Sequence, residues 1–172
     1  MEAWRVHLGE SLAAVPLVER FPGEIIDVGS GGGAPGIPIA AALAERQVVL
    51  LEANARKCRF LESVTRDFSN VLVVRGRAEE QETDRYGVAL AKALAPPVAA
   101  VEWCLPLVAP GGAAILFVGP TADAAAVARA AAQLGGGEPE QHPGFLVVPK
   151  LGPTPAGFPR RPGVARKRPL AQ

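Results

Sequence analysis

The sequence predicts an α/β fold: a doubly wound, mostly parallel sheet with helices on both faces. Short apolar segments recur along the chain and alternate with helical patterns, the rhythm of strand-helix-strand units. Several of these segments are continuous apolar runs, as strands covered on both sides require. The first of them runs directly into Gly29-Ser30-Gly31-Gly32-Gly33, a turn between strand and helix.

The opening residues 4–19 place Leu8, Leu12, Val15 and Val18 at three- and four-residue steps, so they read as an amphipathic helix. Pro16 weakens its last turn, because proline removes a helix hydrogen bond. Pro22-Gly23 punctuates the chain, and residues 24–28 form a buried strand. A helix over 36–44 follows the glycine turn, its prolines confined to the beginning. Residues 47–52 are strand-like, and 55–68 form a helix that turns Cys58, Leu61, Val64 and Phe68 toward the core. A third strand spans 70–74 and a short fourth 88–91, after a loop at 83–86. Residues 98–108 are helical in pattern, and Gly111-Gly112 turns them into a strand over 113–118. The Ala-rich helix 121–134 starts at Thr121-Ala-Asp123 and ends at Gly135-Gly136-Gly137. Residues 145–148 form a late strand, 151–163 a Pro/Gly-containing loop, and 164–170 an edge strand carrying Arg166, Lys167 and Arg168, where charge is tolerated.

A chain of 172 residues, 49% of them hydrophobic, fills one ordinary core. The expected organisation is one domain over 1–172, with 1–22 as a helical lead-in and 150–172 as a basic C-terminal loop and edge strand. Cys58 and Cys104 stand apart from any CxxC or Cys/His cluster, so reduced residues are expected and no metal site. No apolar run reaches a membrane-spanning length and the N-terminus lacks an export segment, so no membrane contact and a cytoplasmic location are expected, with a monomer as the form. The net charge of +1 hides an asymmetry. Residues 1–149 hold 12 Lys/Arg against 17 Asp/Glu, or −5, whereas 150–172 hold 6 Lys/Arg and no acid, or +6. The basic end is a candidate contact for a polyanion, or a solvated tail that aids solubility.

The glycine turn brings backbone close to a ligand, because glycine has no side chain to fill that space. Read as G-x-G-x-x-G from Gly31 to Gly36, it puts Pro35 beside the last close-packing glycine, which disfavours a dinucleotide. Read from Asp27 as D-V-G-S-G-G-G, it matches the acidic strand end and loop of class I S-adenosylmethionine (SAM) methyltransferases. In that reading Asp27 favours the cationic end of SAM, directly or through water, and Gly29, Ser30, Gly31 and Gly33 admit its amino-acid portion. Glu52 closes the second strand as the acceptor for the ribose hydroxyls, a role that also serves NAD. Arg77-Ala78-Glu79 follows the third strand, so Ala78 and Glu79 border the adenine, while Glu80 and Glu82 face water. Arg56-Lys57 reads equally well as a substrate contact or a solvated helix face.

These segments resemble the bacterial small-subunit ribosomal RNA guanine-N7 methyltransferase family, RsmG/GidB. The resemblance runs from Arg5-Val-His7-Leu-Gly-Glu-Ser11-Leu12 through Asp27-Val-Gly-Ser-Gly-Gly-Gly-Ala-Pro-Gly-Ile-Pro38, Leu51-Glu52-Ala-Asn-Ala-Arg-Lys57, Arg77-Ala78-Glu79 and Ala91-Lys92-Ala93-Leu-Ala95-Pro96. It ends in Phe158-Pro-Arg-Arg-Pro-Gly163 and Lys167-Arg-Pro-Leu170. It implies methylation of N7 of one guanosine in the decoding region, with Asp27, Gly29, Gly31 and Glu52 lining SAM and Ala78 and Glu79 near adenine. The small ribosomal subunit or its RNA is then the partner. The family usually has arginine where this chain has Lys92, and lysine keeps the charge but not the planar fork. It also usually carries a further helical segment before the counterpart of Arg5.

Guanine N7 has a free lone pair and no proton to lose, so placement can drive the transfer without a general base. His7 and His142 therefore need no catalytic role, and Cys58 reads as a core residue. Lys92 with Arg160 and Arg161 is the candidate for substrate positioning, while Arg166, Lys167 and Arg168 are candidates for RNA backbone contact. A methyltransferase with another substrate, a non-catalytic RNA- or SAM-binding relative, and an NAD(P) enzyme remain open alternatives at the level of sequence.

Overall fold

The computed structural model describes the backbone of residues 2–171 and the side chains of residues 6–171. Met1 and Gln172, the ends of the expected 1–172 span, lie outside the described residues. Helices α1 (Glu2–Ala13) and α2 (Val15–Val18) lead into β1 (Ile25–Val28), α3 (Gly36–Ala42), β2 (Val48–Glu52), α4 (Ala55–Val64) and β3 (Val71–Arg75). After a 3-10 turn at Ala78–Glu80 come β4 (Tyr86–Lys92), α5 (Pro97–Cys104), a second 3-10 turn at Leu105–Leu107, and β5 (Val108–Phe117). Then follow α6 (Ala124–Ala132), β6 (Glu140–His142), β7 (Phe145–Pro149) and α7 (Val164–Lys167).

The seven strands are ordered β3-β2-β1-β4-β5-β7-β6, parallel from β3 to β5 and antiparallel beyond. Chain direction across the sheet reverses between β1 and β4, and the carboxyl ends at such a switch point open the crevice in which α/β sheets bind ligands. Strand alternation sorts the apolar runs into two layers. Ile26, Val49, Leu51, Ala89 and Ala114 pack with α5 and α6 residues such as Val101, Cys104 and Val127. Ile25, Val48, Leu50, Val88 and Leu90 pack on the other face with Ala14, which precedes α2, and with Val18, Ile39 and Leu61 of α2, α3 and α4. Each continuous apolar run thus feeds two cores, the expected mostly parallel sheet with helices on both sides.

Local chemistry sets several boundaries. Asn54 caps α4, its Oδ1 accepting from the N–H of Arg56 at 2.9 Å and of Lys57 at 3.2 Å. Asp123 caps α6 by accepting from Ala126 N–H at 2.9 Å. An N-cap oxygen satisfies N–H groups that have no partner within their helix.

Several expectations need correction. Residues 164–170 are not an edge strand: Val164–Lys167 is a short helix, with Ala165 buried and Gly163 in the left-handed region at its start. The edge position is held by β6, which pairs antiparallel with β7. The lead-in breaks into two helices before Pro16, and its buried face is Ser11, Ala14 and Val18, leaving Leu12 42% exposed. Val64 is likewise 44% exposed, because α4 rests on the sheet through Cys58 and Leu61. The fifth helix ends at Cys104, and Gly111-Gly112 lies inside β5 rather than before it.

Candidate functional site

Three cavities lie in a row at the carboxyl ends of the parallel strands. One of about 280 Å³ is bounded by Leu51, Glu52, Gly76, Ala78, Leu94 and Trp103. The next, about 730 Å³, runs along Gly29–Gly33 to Ile37, Lys57 and Lys92. The third, about 450 Å³, lies among Glu10, Lys92, Phe117, Val118, Pro143 and Gly144. Gly29, Lys57 and Ala93 line the first and second, and Lys92 and Ala93 the second and third, so the row is continuous.

Parallel register places Asp27 between Leu50 and Leu90 and so beneath the glycine turn. Its Oδ2 accepts from Gly36 N–H at 3.1 Å, and a side chain on Gly36 would meet that oxygen at 2.7 Å and collide with Leu50. The close approach explains glycine within the Ala-Pro-Gly-Ile-Pro stretch. Asp27 is 1% exposed and lines none of the three cavities, so its influence on them is through charge and through the loop it holds. Burial pushes its carboxyl up to about 7; bonds from Ser30 and Gly36 oppose the rise, Glu52 adds to it and the Lys92 charge opposes it.

Glu52 closes β2 and lines the smallest cavity. Its Oε2 accepts from Gly31 N–H at 3.0 Å and its Oε1 from Asn54 N–H at 2.8 Å. Each carboxylate oxygen has a second acceptor direction, so the fixed carboxylate can still take a diol. Gly31 has φ +56°, in the left-handed region, and a Cβ there would meet only the Gly29 carbonyl oxygen at 3.7 Å. The loop therefore presents bare backbone beside open space. Ser30 is buried and its hydroxyl donates to the Asp27 carbonyl at 2.9 Å, making it a brace for the turn.

Trp103 supplies an independent sign of what the smallest cavity takes. Its Nε1 is a buried side-chain donor without a hydrogen-bond partner among the described residues. A buried unpaired donor is costly, and an aromatic nitrogen acceptor such as those of adenine would satisfy it. Trp103, Ala78 and Leu94 beside a diol-accepting carboxylate fit an adenosyl group.

At the other end, Lys92 closes β4. Its Nζ lies 2.7 Å from Glu10 Oε2, donates to His7 Nδ1 at 3.1 Å, and sits 5.7 Å from the Phe117 ring centre. The Lys92 ammonium holds Glu10 below the usual carboxylate range. The next residue, Ala93, has φ +53°, a left-handed conformation in a residue with a Cβ, at the wall that the cavities share.

The structure does not gather all the expected substrate residues. Arg160 and Arg161 do not line these cavities. Arg160 points into the fold, its Nε and Nη2 each 2.5 Å from the carboxylate of buried Glu102, and also donates to the Arg168 carbonyl at 2.7 Å. Arg161, Arg166, Lys167 and Arg168 are exposed. Gly163 N–H donates to Glu79 Oε1 at 3.2 Å, which brings this basic segment to the rim of the smallest cavity. Glu79 thus anchors the C-terminal segment as well as bordering the cavity. Sequence reasoning gave Trp103 no site role, for no local signal marks it. It also passed over Glu10, although the three-residue step from His7 puts both on one face of α1. Lys57, left undecided, lines two cavities.

Comparisons with known proteins show the family and the fold. The family model for rRNA small subunit methyltransferase G, GidB, matches residues 1–146. The chain is 37% identical to the ribosomal RNA small subunit methyltransferase G of Synechococcus elongatus, over 95% of this chain and 76% of that protein. It is 36% identical to the protein of that name from Roseiflexus castenholzii, over 95% and 78%. Among solved structures, a SAM-dependent O-methyltransferase of Thermotoga maritima superposes with a TM-score of 0.67 at 16% identity, covering 86% of this chain and 66% of that one, a likeness of fold.

Proposed function

The chain belongs to the rRNA small subunit methyltransferase G family, and from that premise we infer that it transfers a methyl group from SAM to N7 of a guanosine in small-subunit (16S) ribosomal RNA. The observation that carries the reading is the continuous row of cavities, from the Trp103 and Glu52 end past the glycine loop to Lys92. SAM, when bound, supplies a methyl group on a positively charged sulfur, which the guanine N7 lone pair accepts without losing a proton. The residues of this chain then bind and align.

Glu52 holds the ribose hydroxyls, Ala78 and Trp103 enclose adenine, and Gly29, Gly31 and Gly33 give the amino-acid portion room against backbone. Asp27 and Ser30 brace that loop from below. Lys92 stands where the substrate base enters. Arg161, Arg166, Lys167 and Arg168 approach the RNA backbone from the adenosyl rim, positioning the RNA without reading its sequence. Arg160, paired with Glu102, fixes the segment that presents them. The absence of a general base in this scheme suits a nucleophile that carries no proton, for which alignment supplies the rate. We read the protein as a single-domain monomer that works in the cytoplasm on the small subunit. No helix among the described residues is long and apolar enough to cross a membrane.

The test supplies labelled SAM to the protein with purified, undermodified small ribosomal subunits and maps the label at nucleotide resolution. A single N7-methylguanosine in the decoding region is the expected result. No incorporation into validated subunits, with SAM binding demonstrated, would overturn the reading.

A further inference from the structure

We propose that Glu10 and Lys92 act as a paired reader of the guanine edge, Lys92 donating to O6 and Glu10 accepting from N1–H. The proposal rests on the function inferred above and names what selects guanine at that site. Its basis is the junction of two cavities. Lys92 lines both the cavity that holds the glycine loop and the one beyond it, whereas Glu10 lines the second. Going from the loop outward, the order is therefore methyl-donor cavity, ammonium, carboxylate. Along the edge of guanine the order is N7, O6, N1–H. A base with O6 at Lys92 and N1–H at Glu10 has N7 turned toward the glycine loop, where the methyl group must arrive.

The polarity of the pair matters as much as its position. An ammonium only donates and an ionised carboxylate only accepts. Guanine offers an acceptor beside a donor at O6 and N1–H, whereas adenine offers a donor at N6 beside an acceptor at N1, the reverse order. The pair is held for this task. Nζ is 2.7 Å from Glu10 Oε2 and 3.1 Å from His7 Nδ1. The Lys92 side chain is 12% exposed and that of Glu10 49%, so the ammonium is nearly enclosed while the carboxylate stays open to an entering base. Glu10 is brought there by the next residue, Ser11, which is fully buried and whose hydroxyl donates to the His7 carbonyl at 2.6 Å. Phe117 floors the pair, and Phe145 meets it edge-on with ring centres 4.9 Å apart.

The experiment uses small subunits reconstituted with RNA in which the target nucleotide is guanosine, inosine or 2-aminopurine riboside. Inosine keeps O6 and N1–H, and 2-aminopurine keeps N7 and the amino group but has neither. The unaltered protein should methylate inosine within about threefold of guanosine and 2-aminopurine at least about 30-fold more slowly, as removal of paired hydrogen bonds predicts. Glu10→Ala should lower kcat/KM on guanosine about 10- to 100-fold with SAM affinity within about twofold, and collapse the guanosine to 2-aminopurine ratio. Glu10→Gln, which keeps the shape and an acceptor, should retain part of that ratio, an effect loss of folding would not produce. A ratio unchanged in both variants overturns the proposal while leaving the function standing. No transfer to guanosine by the unaltered protein, with SAM bound, overturns both.

Discussion

Single side chains in this protein carry opposite kinds of electrostatic strain. Trp103 presents a buried N–H with no partner among the described residues, and Asp27 a buried carboxyl pushed up to about 7. The first predicts a binding effect. Trp103→Phe keeps an aromatic ring and removes the donor, so SAM affinity measured by calorimetry should fall about 3- to 10-fold, the worth of one ordinary hydrogen bond. Unchanged affinity would leave the indole without a ligand role. The second predicts a stability effect of definite sign. A carboxyl whose folded pKa lies above its unfolded value near 4 favours folding while protonated, and that contribution is lost as pH rises through about 7. Asp27→Asn keeps an acceptor for Gly36 and cannot ionise. Urea unfolding without cofactor should therefore show stability falling between about pH 4 and about pH 7 in the parent and less steeply in the variant, by at most about 4 kcal/mol.

Among the elements, the C-terminal segment depends most on specific ties. Lys150, wholly buried, donates to the Leu105 carbonyl at 3.0 Å and to Thr154 Oγ1 at 2.7 Å, with Asp84 Oδ1 3.2 Å away. Ten residues on, Arg160 grips Glu102 of α5, itself 2% exposed. Removing one partner of a buried pair leaves the other charged and unpaired, which costs about 3–5 kcal/mol. Arg160→Ala should lower stability by roughly that amount, whereas exposed Arg161→Ala should stay within about 0.5 kcal/mol. Thermal and urea unfolding of the two variants separates a structural arginine from a surface one. The same segment shows where element reading from sequence stops. Strands β1 and β2 are legible because their apolar segments are short, rich in β-branched residues and bounded by turn signals. Glu140–His142 holds no apolar residue and becomes β6 only through its pairing with β7. Val164–Lys167 carries the helix formers Ala165, Arg166 and Lys167 after a single β-branched residue, and it forms a helix that buries Ala165.

Across the whole molecule, charge is segregated. Of the cations, Arg20, Arg85, Lys92, Lys150 and Arg160 are in ion pairs, while Arg56, Lys57, Arg59, Arg66, Arg75, Arg77, Arg161, Arg166, Lys167 and Arg168 are exposed and have none among the described residues. Of these, Lys57 and Arg77 line the smallest cavity, and Gly163 ties the C-terminal group to Glu79 on its wall. Cations that meet phosphates release counterions, so the slope of log affinity against log salt counts them. Replacing Arg161, Arg166, Lys167 and Arg168 by Gln should reduce the slope for small-subunit RNA by about 0.7–0.9 for each phosphate that these side chains neutralise. A slope that does not change would place the RNA on another face.

What depends on near neighbours could be read from the residues alone: the strand-turn-helix at Asp27 to Gly36, the acid closing β2, and the alternation that builds a parallel sheet. These are set by backbone sterics and hydrophobic period, which act over a few residues. Which charges are partners was settled only by packing. It put Glu10 beside Lys92 across 82 positions, turned Arg160 inward to Glu102, set Asp27 beneath the glycine loop rather than in the wall of a cavity, and left Trp103, beside the smallest cavity, with a donor unmatched among the described residues. Such pairings form where elements distant in sequence pack together, and a charge's role there follows from the dielectric and partners that packing supplies.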